Sequence, residues 1–114
     1  MSAITTHILD ISTGLPAAGV SVVLERMDPT VGWKKMGDGL TDSDGRMPDI
    51  LSENVQIIAG DYRLIFETGA YFEARAIECF YPNVTIAFTV RDAAQHYHVP
   101  LLLSPFGYST YRGS

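Results

Sequence analysis

Apolar and polar residues alternate with period two along most of this chain, the pattern of strands that bury one face and wet the other. Ile4, Thr6 and Ile8 alternate with Thr5, His7 and Leu9, and Val20, Val22 and Leu24 alternate with Ser21, Val23 and Glu25. Residues 12–16 between them read as a turn. A third strand is predicted around residues 33–36, followed by a turn over residues 41–46 in which Gly45 takes positive φ without Cβ strain and Arg46 projects at the exit. Tyr62, Leu64 and Phe66 share one strand face, as do Val84, Ile86, Phe88 and Val90, and both segments read as central strands. Residues 70–77 break the alternation, are rich in Ala and Glu and follow Gly69, which predicts a short helix. In the next strand Tyr97, Val99, Leu101 and Leu103 occupy one face while His96, His98 and Pro100 occupy the other; Pro105 and Gly107 then turn the chain into residues 108–111. Seven or eight short strands with such turns predict an all-β, two-sheet sandwich with one short helix.

Composition narrows the class of partner. At 114 residues the chain is expected to form one domain spanning residues 1–114. No apolar run approaches the roughly 20 residues that a bilayer requires, so no membrane partner is expected. A net charge of -5 with scattered Lys and Arg leaves no basic stripe, which argues against nucleic acid. Cys79 is the only cysteine, and the first residues lack the basic and long apolar regions of a secretory signal, so the expected setting is the cytoplasm. A mature periplasmic chain, its signal replaced by Met, reads the same way.

Candidate chemistry concentrates in three histidines and the C-terminal end. His96 and His98 are a same-face pair by strand alternation. Read singly, each is an ordinary half-buried or surface histidine. Read together with His7, they suggest either a three-imidazole zinc site with an open water position or metal-free acid-base work, in which an imidazole takes a proton from water while Arg46 or Arg112 stabilises an oxyanion. Asp42 and Asp44 hint at a calcium loop but lack its spaced ligands and distal Glu. Ser114 has no Gly-x-Ser-x-Gly elbow around it, Asp92 and Glu78 read as solvated charges, and Cys79 reads as a packing residue. The final Tyr111-Arg112-Gly113-Ser114 brings a phenol, a guanidinium, a hydroxyl and a carboxylate directly after a strand-like stretch, which can hold them in place.

Residues 5–10 (TTHILD), the turn at residues 14–17, the Asp44-Gly45-Arg46 turn, the stretch HYHVPLLLSP at residues 96–105 and the terminal Tyr-Arg-Gly-Ser together resemble the transthyretin-related 5-hydroxyisourate hydrolases. The resemblance runs from about Ile4 to Ser114. It implies a prealbumin-like sandwich assembled as a homotetramer, a dimer of dimers, with sites in the channel between dimers that draw residues from more than one subunit. The implied substrate is the small molecule 5-hydroxyisourate, opened to 2-oxo-4-hydroxy-4-carboxy-5-ureidoimidazoline in urate degradation, a part of purine catabolism, with no metal or organic cofactor. Carried onto this chain, the catalytic positions are His7, Arg46, His98 and Ser114, with His7, Arg46, Tyr111, Arg112 and Ser114 binding substrate. Which histidine activates water and what His96 does are left open.

Two other readings compete. A carrier of the transthyretin type binds a small aromatic ligand in the same channel, but as a family transthyretins lack the Tyr-Arg-Gly-Ser ending. A sandwich-type interaction module accounts for the turns and leaves the histidines and the tail without a role.

Overall fold

The computed structural model describes residues 3–52 and 54–114. Nine strands form among them: β1 (Ile4–Asp10), β2 (Leu15–Pro16), β3 (Ser21–Asp28), β4 (Gly32–Leu40), β5 (Arg46–Met47), β6 (Gly60–Phe66), β7 (Val84–Val90), β8 (Tyr97–Ser104) and β9 (Gly107–Thr110), with one helix, α1 (Thr68–Glu73), between β6 and β7. One sheet has the order β2-β1-β8-β9, with β5 also paired to β1, and the other has the order β4-β3-β6-β7. All pairings are antiparallel except β1 with β8.

The predicted faces are the buried ones. Ile4, Ile8, Val99, Leu101 and Leu103 from the first sheet join Val22, Leu24, Tyr62, Leu64, Phe66, Val84 and Val90 from the second in one apolar core. Each such side chain withdrawn from water stabilises the fold by about 1.5–3 kcal/mol before the entropy of ordering is counted. Val84–Val90, expected to be central, is the edge of its sheet, so that of the two strands expected there only β6 is flanked on both sides. Thr85, Ala87 and Thr89 on its outer face are exposed. A strand with one buried face alternates identically in the middle and at the edge, so the pattern could not separate the two.

The helix starts two residues earlier than expected and ends four residues sooner, at Glu73. It stops in a left-handed turn: Ala76 has φ 56°, its amide bonds the Glu73 carbonyl at 3.0 Å, and the Ile77 amide bonds the Phe72 carbonyl at 3.0 Å. These are the two bonds of a Schellman terminus, with alanine where glycine is usual. The helix buries Tyr71 and Phe72. The Tyr71 hydroxyl donates to Oδ2 of the fully buried Asp10 at 2.8 Å, and the Ser12 amide donates to Oδ1 at 3.0 Å. Burial first, then the Asp10 carboxylate, pushes the Tyr71 phenol up to about 12. No helix among the described residues is long and apolar enough to cross a membrane.

Candidate functional site

The parallel β1–β8 pairing sets the site. Its register places Thr5 opposite His98 and His7 opposite Pro100, while the β1–β5 pairing places His7 opposite Arg46. Because Ile4, Ile8, Val99 and Leu101 face the core, alternation sends Thr5, His7 and His98 to the outer face of the sheet. Arg46 joins them there, since its neighbour Met47 is buried in the core.

Arg46 is delivered by its turn. Oδ1 of Asp42 accepts the amides of Asp44 and Arg46, each at 2.9 Å, and the Asp42 amide donates to the Arg46 carbonyl at 2.9 Å. Gly45 has φ 71°, and a Cβ there would lie 2.5 Å from the Ile8 carbonyl oxygen. The turn therefore presses against β1 with only glycine able to fit, and Arg46 leaves it beside His7. Asp42 is engaged with backbone amides, a structural role for a residue whose spacing hints at calcium.

Thr5 joins His98 of β8 to His96, which lies just before that strand. Its Oγ1 lies 2.8 Å from Nδ1 of His98 and 3.1 Å from Nε2 of His96. Nδ1 of His98 is thus engaged, and Nε2 is the ring nitrogen open to a ligand. The tail closes over this ring: the Gly113 amide bonds the His98 carbonyl at 2.8 Å, pairing the two residues in a short bridge. A cavity of about 400 Å³ results, lined by Thr5, Thr6, Arg46, Pro48, His96, His98 and Ser114.

His98 is held below the ordinary imidazole range, first by desolvation and then by its electrostatic neighbours Arg46, His96 and His7, with a hydrogen bond to the Thr5 backbone acting in the opposite direction. At neutral pH its ring is neutral and can accept a proton. With Arg46 lining the same cavity, this is the equipment for activating water and stabilising the oxyanion that follows.

Of the residues expected at a site, His7, Arg46, His98 and Ser114 share this side of the molecule. His7 is not among the residues lining the cavity, and neither are Tyr111 and Arg112. Tyr111 and Arg112 line a second cleft of about 520 Å³ with Ile86, Phe88, Tyr97 and Val99, at the β7 edge. There the Arg112 guanidinium stacks 4.5 Å from the Tyr97 ring centroid and donates to Gln95 Oε1 at 3.0 Å. Thr5 is not legible as a site residue in the sequence: a threonine in a strand carries no signal until the parallel pairing brings it against His98. Among the described residues no three His, Cys, Asp or Glu side chains are arranged to hold a metal ion, which leaves the zinc reading of the histidines without a ligand set there. Cys79 packs against the core, and Glu78 and Asp92 are exposed.

A family model described as HIUase/Transthyretin family matches residues 4–113. A 5-hydroxyisourate hydrolase of Salmonella dublin is 49% identical over 111 residues, covering 97% of this chain and 80% of the relative. The solved structure of Klebsiella pneumoniae 5-hydroxyisourate hydrolase superposes with a TM-score of 0.84 at 39% identity, covering 97% of this chain and 92% of that one. Sea bream transthyretin in complex with thyroxine superposes with a TM-score of 0.91 at 31% identity, covering 98% and 95%. The backbone thus matches a hydrolase and a thyroxine-bound transthyretin alike, and the side chains on the outer face have to separate them.

Proposed function

The chain belongs to the HIUase/Transthyretin family, and we propose that it hydrolyses 5-hydroxyisourate to 2-oxo-4-hydroxy-4-carboxy-5-ureidoimidazoline in urate degradation. One observation carries the reading: His98, its Nδ1 fixed by Thr5 and its ring kept neutral, shares a cavity with Arg46 and Ser114. The name borne by relatives at 49% and 39% identity supports the choice of substrate.

The chemistry follows from that equipment. Nε2 of His98 takes a proton from water, and the hydroxide formed attacks C6 of the six-membered ring. Arg46 stabilises the oxyanion. As the N1–C6 bond breaks, a protonated imidazole returns the proton to N1, and the new carboxyl group ionises. His7, one step along the face and opposite Arg46, shares the proton handling and binds substrate. The Ser114 hydroxyl and carboxylate hold the heterocycle's polar edge. Imidazole, guanidinium and water suffice for each step, without metal or organic cofactor.

Tyr111 and Arg112 lie in the other cleft of their own chain, so their contact with substrate requires a second subunit. This favours the homotetramer, a dimer of dimers, in which each site is completed across an interface. The edge strands β7 and β9, one from each sheet, supply unpaired backbone for such assembly. The expected compartment is the cytoplasm.

The fold likeness to a thyroxine-bound transthyretin favours a carrier as the second reading. A carrier has no use for a neutral imidazole beside a guanidinium. Turnover of 5-hydroxyisourate, read from its ultraviolet absorption, decides between the two: catalysed decay supports the hydrolase, and decay at the spontaneous rate removes it.

A further inference from the structure

Sequence alone assigns no role to His96 and does not point to Thr5. Their geometry joins both to His98. A threonine hydroxyl has one proton to donate and two lone pairs to accept with. Placed 2.8 Å from Nδ1 of His98 and 3.1 Å from Nε2 of His96, it can donate to only one of these rings and must accept from the other. The same heavy-atom positions therefore hold two arrangements. In one, His98 donates Nδ1–H to Thr5, Thr5 donates to His96, and Nε2 of His98 is bare. In the other, His96 donates Nε2–H to Thr5, Thr5 donates to His98, and Nε2 of His98 carries the proton. The first is a base toward the cavity and the second is an acid.

We propose that Thr5 is a positioning residue and proton relay that switches His98 between base and acid by passing a proton to and from His96. The inference rests on the hydrolase reading of the site. When Nε2 of His98 takes a proton from water, Nδ1–H moves to the Thr5 oxygen as the Thr5 proton moves to Nε2 of His96. Hydroxide adds to the carbonyl carbon, His98 ends neutral with Nε2–H, and the positive charge resides on His96. When the ring C–N bond breaks, Nε2–H of His98 passes to the departing nitrogen and the proton on His96 returns through Thr5, so that water is the only molecule consumed.

Two features favour this path over a charge held on His98. His98 is half-buried, while His96 is exposed, so water can solvate the imidazolium there. Arg46 faces the same cavity, and moving the positive charge from His98 to His96 takes it to the rim. Thr5 itself is buried, which protects the two hydrogen bonds from competition by solvent.

The test compares Thr5→Val, Thr5→Ser and His96→Gln in the assembled full-length protein, with kcat and KM for 5-hydroxyisourate. Valine keeps the shape and removes the hydroxyl, serine keeps the hydroxyl, and glutamine keeps a hydrogen-bonding partner that cannot carry the proton. Thr5→Val is expected to lower kcat at least about tenfold, part of the roughly 10²–10⁴-fold that general acid-base catalysis contributes, with KM little changed. Thr5→Ser is expected to recover most of that loss. His96→Gln is expected to match Thr5→Val, and the double variant to be no worse than either, since both break one relay. Full kcat in Thr5→Val, a serine variant as slow as valine, or losses that multiply in the double variant each overturn the relay. His96 is exposed, so its variant keeps the test open should Thr5→Val fail to fold. Absence of turnover by the unsubstituted protein is a different result, and rejects the hydrolase reading itself.

Discussion

Gly113 lies against the imidazole of His98 so closely that a Cβ at position 113 would fall 2.6 Å from Cδ2 of the ring and 3.2 Å from Cγ of Pro100. The glycine of the terminal Tyr-Arg-Gly-Ser is therefore there because nothing larger fits between the tail and the histidine. The same residue donates its amide to the His98 carbonyl, so the tail and the ring are positioned as a unit.

Gly113→Ala tests that unit. The methyl group must displace either the tail or the ring, since a core-like contact this short cannot be absorbed without movement. Turnover is expected to fall at least about tenfold, because misplacing a catalytic group by about 1 Å costs up to about 10²-fold. The thermal midpoint is expected to change little, because the tail contributes few core contacts. Equal kcat for the two proteins would show that the tail does not position His98.

The electrostatics of His98 give a pH prediction. Desolvation, then Arg46, His96 and His7, hold its folded-state pKa below the unfolded value of about 6.5. The unfolded chain thus binds more protons between these two values, and stability contributed by His98 is complete above about pH 6.5 and declines as pH falls toward the folded pKa. Thermal midpoints are expected to drop more on acidification in the native protein than in His98→Asn. The acid limb of kcat/KM is expected to have its midpoint below about 6.5. A limb at or above that value would contradict a neutral, desolvated base.

The strands, their buried faces and the exit of Arg46 were legible because each depends on local chemistry. One face of each strand meets the core, so period two appears in the residues, and Asp42 with Gly45 announces the turn that delivers Arg46. What local chemistry does not encode is pairing between distant segments. The parallel alignment of β1 with β8 brings Thr5 to His96 and His98 across more than ninety residues, and nothing near Thr5 in the chain signals it. The helix end is not legible in the sequence because Ala76 occupies the left-handed position that glycine would mark. Tyr111 and Arg112 could be located on a strand-like tail, but the cleft they enter depends on Tyr97 and Gln95, which the fold alone brings near them.

The Tyr71–Asp10 bond is expected to matter for stability rather than for chemistry. It ties the helix to the end of β1, and Tyr71→Phe leaves a buried carboxylate oxygen without its donor. A loss of about 1.5–3 kcal/mol is expected, the range for a hydrogen bond to a charged group. Denaturation at fixed protein concentration measures it, with kcat as the control. Unchanged stability would mean that water replaces the phenol.

The most direct test generates 5-hydroxyisourate in place from urate and urate oxidase, then follows its ultraviolet decay with and without the protein. Decay well above the spontaneous rate is predicted for the native protein. For an equally folded and assembled His98→Asn variant, turnover is expected to be lower by roughly a hundredfold or more, the scale of a lost general acid-base group. Decay at the spontaneous rate in the presence of the folded, assembled native protein would contradict the hydrolase and leave ligand binding as the function of this site.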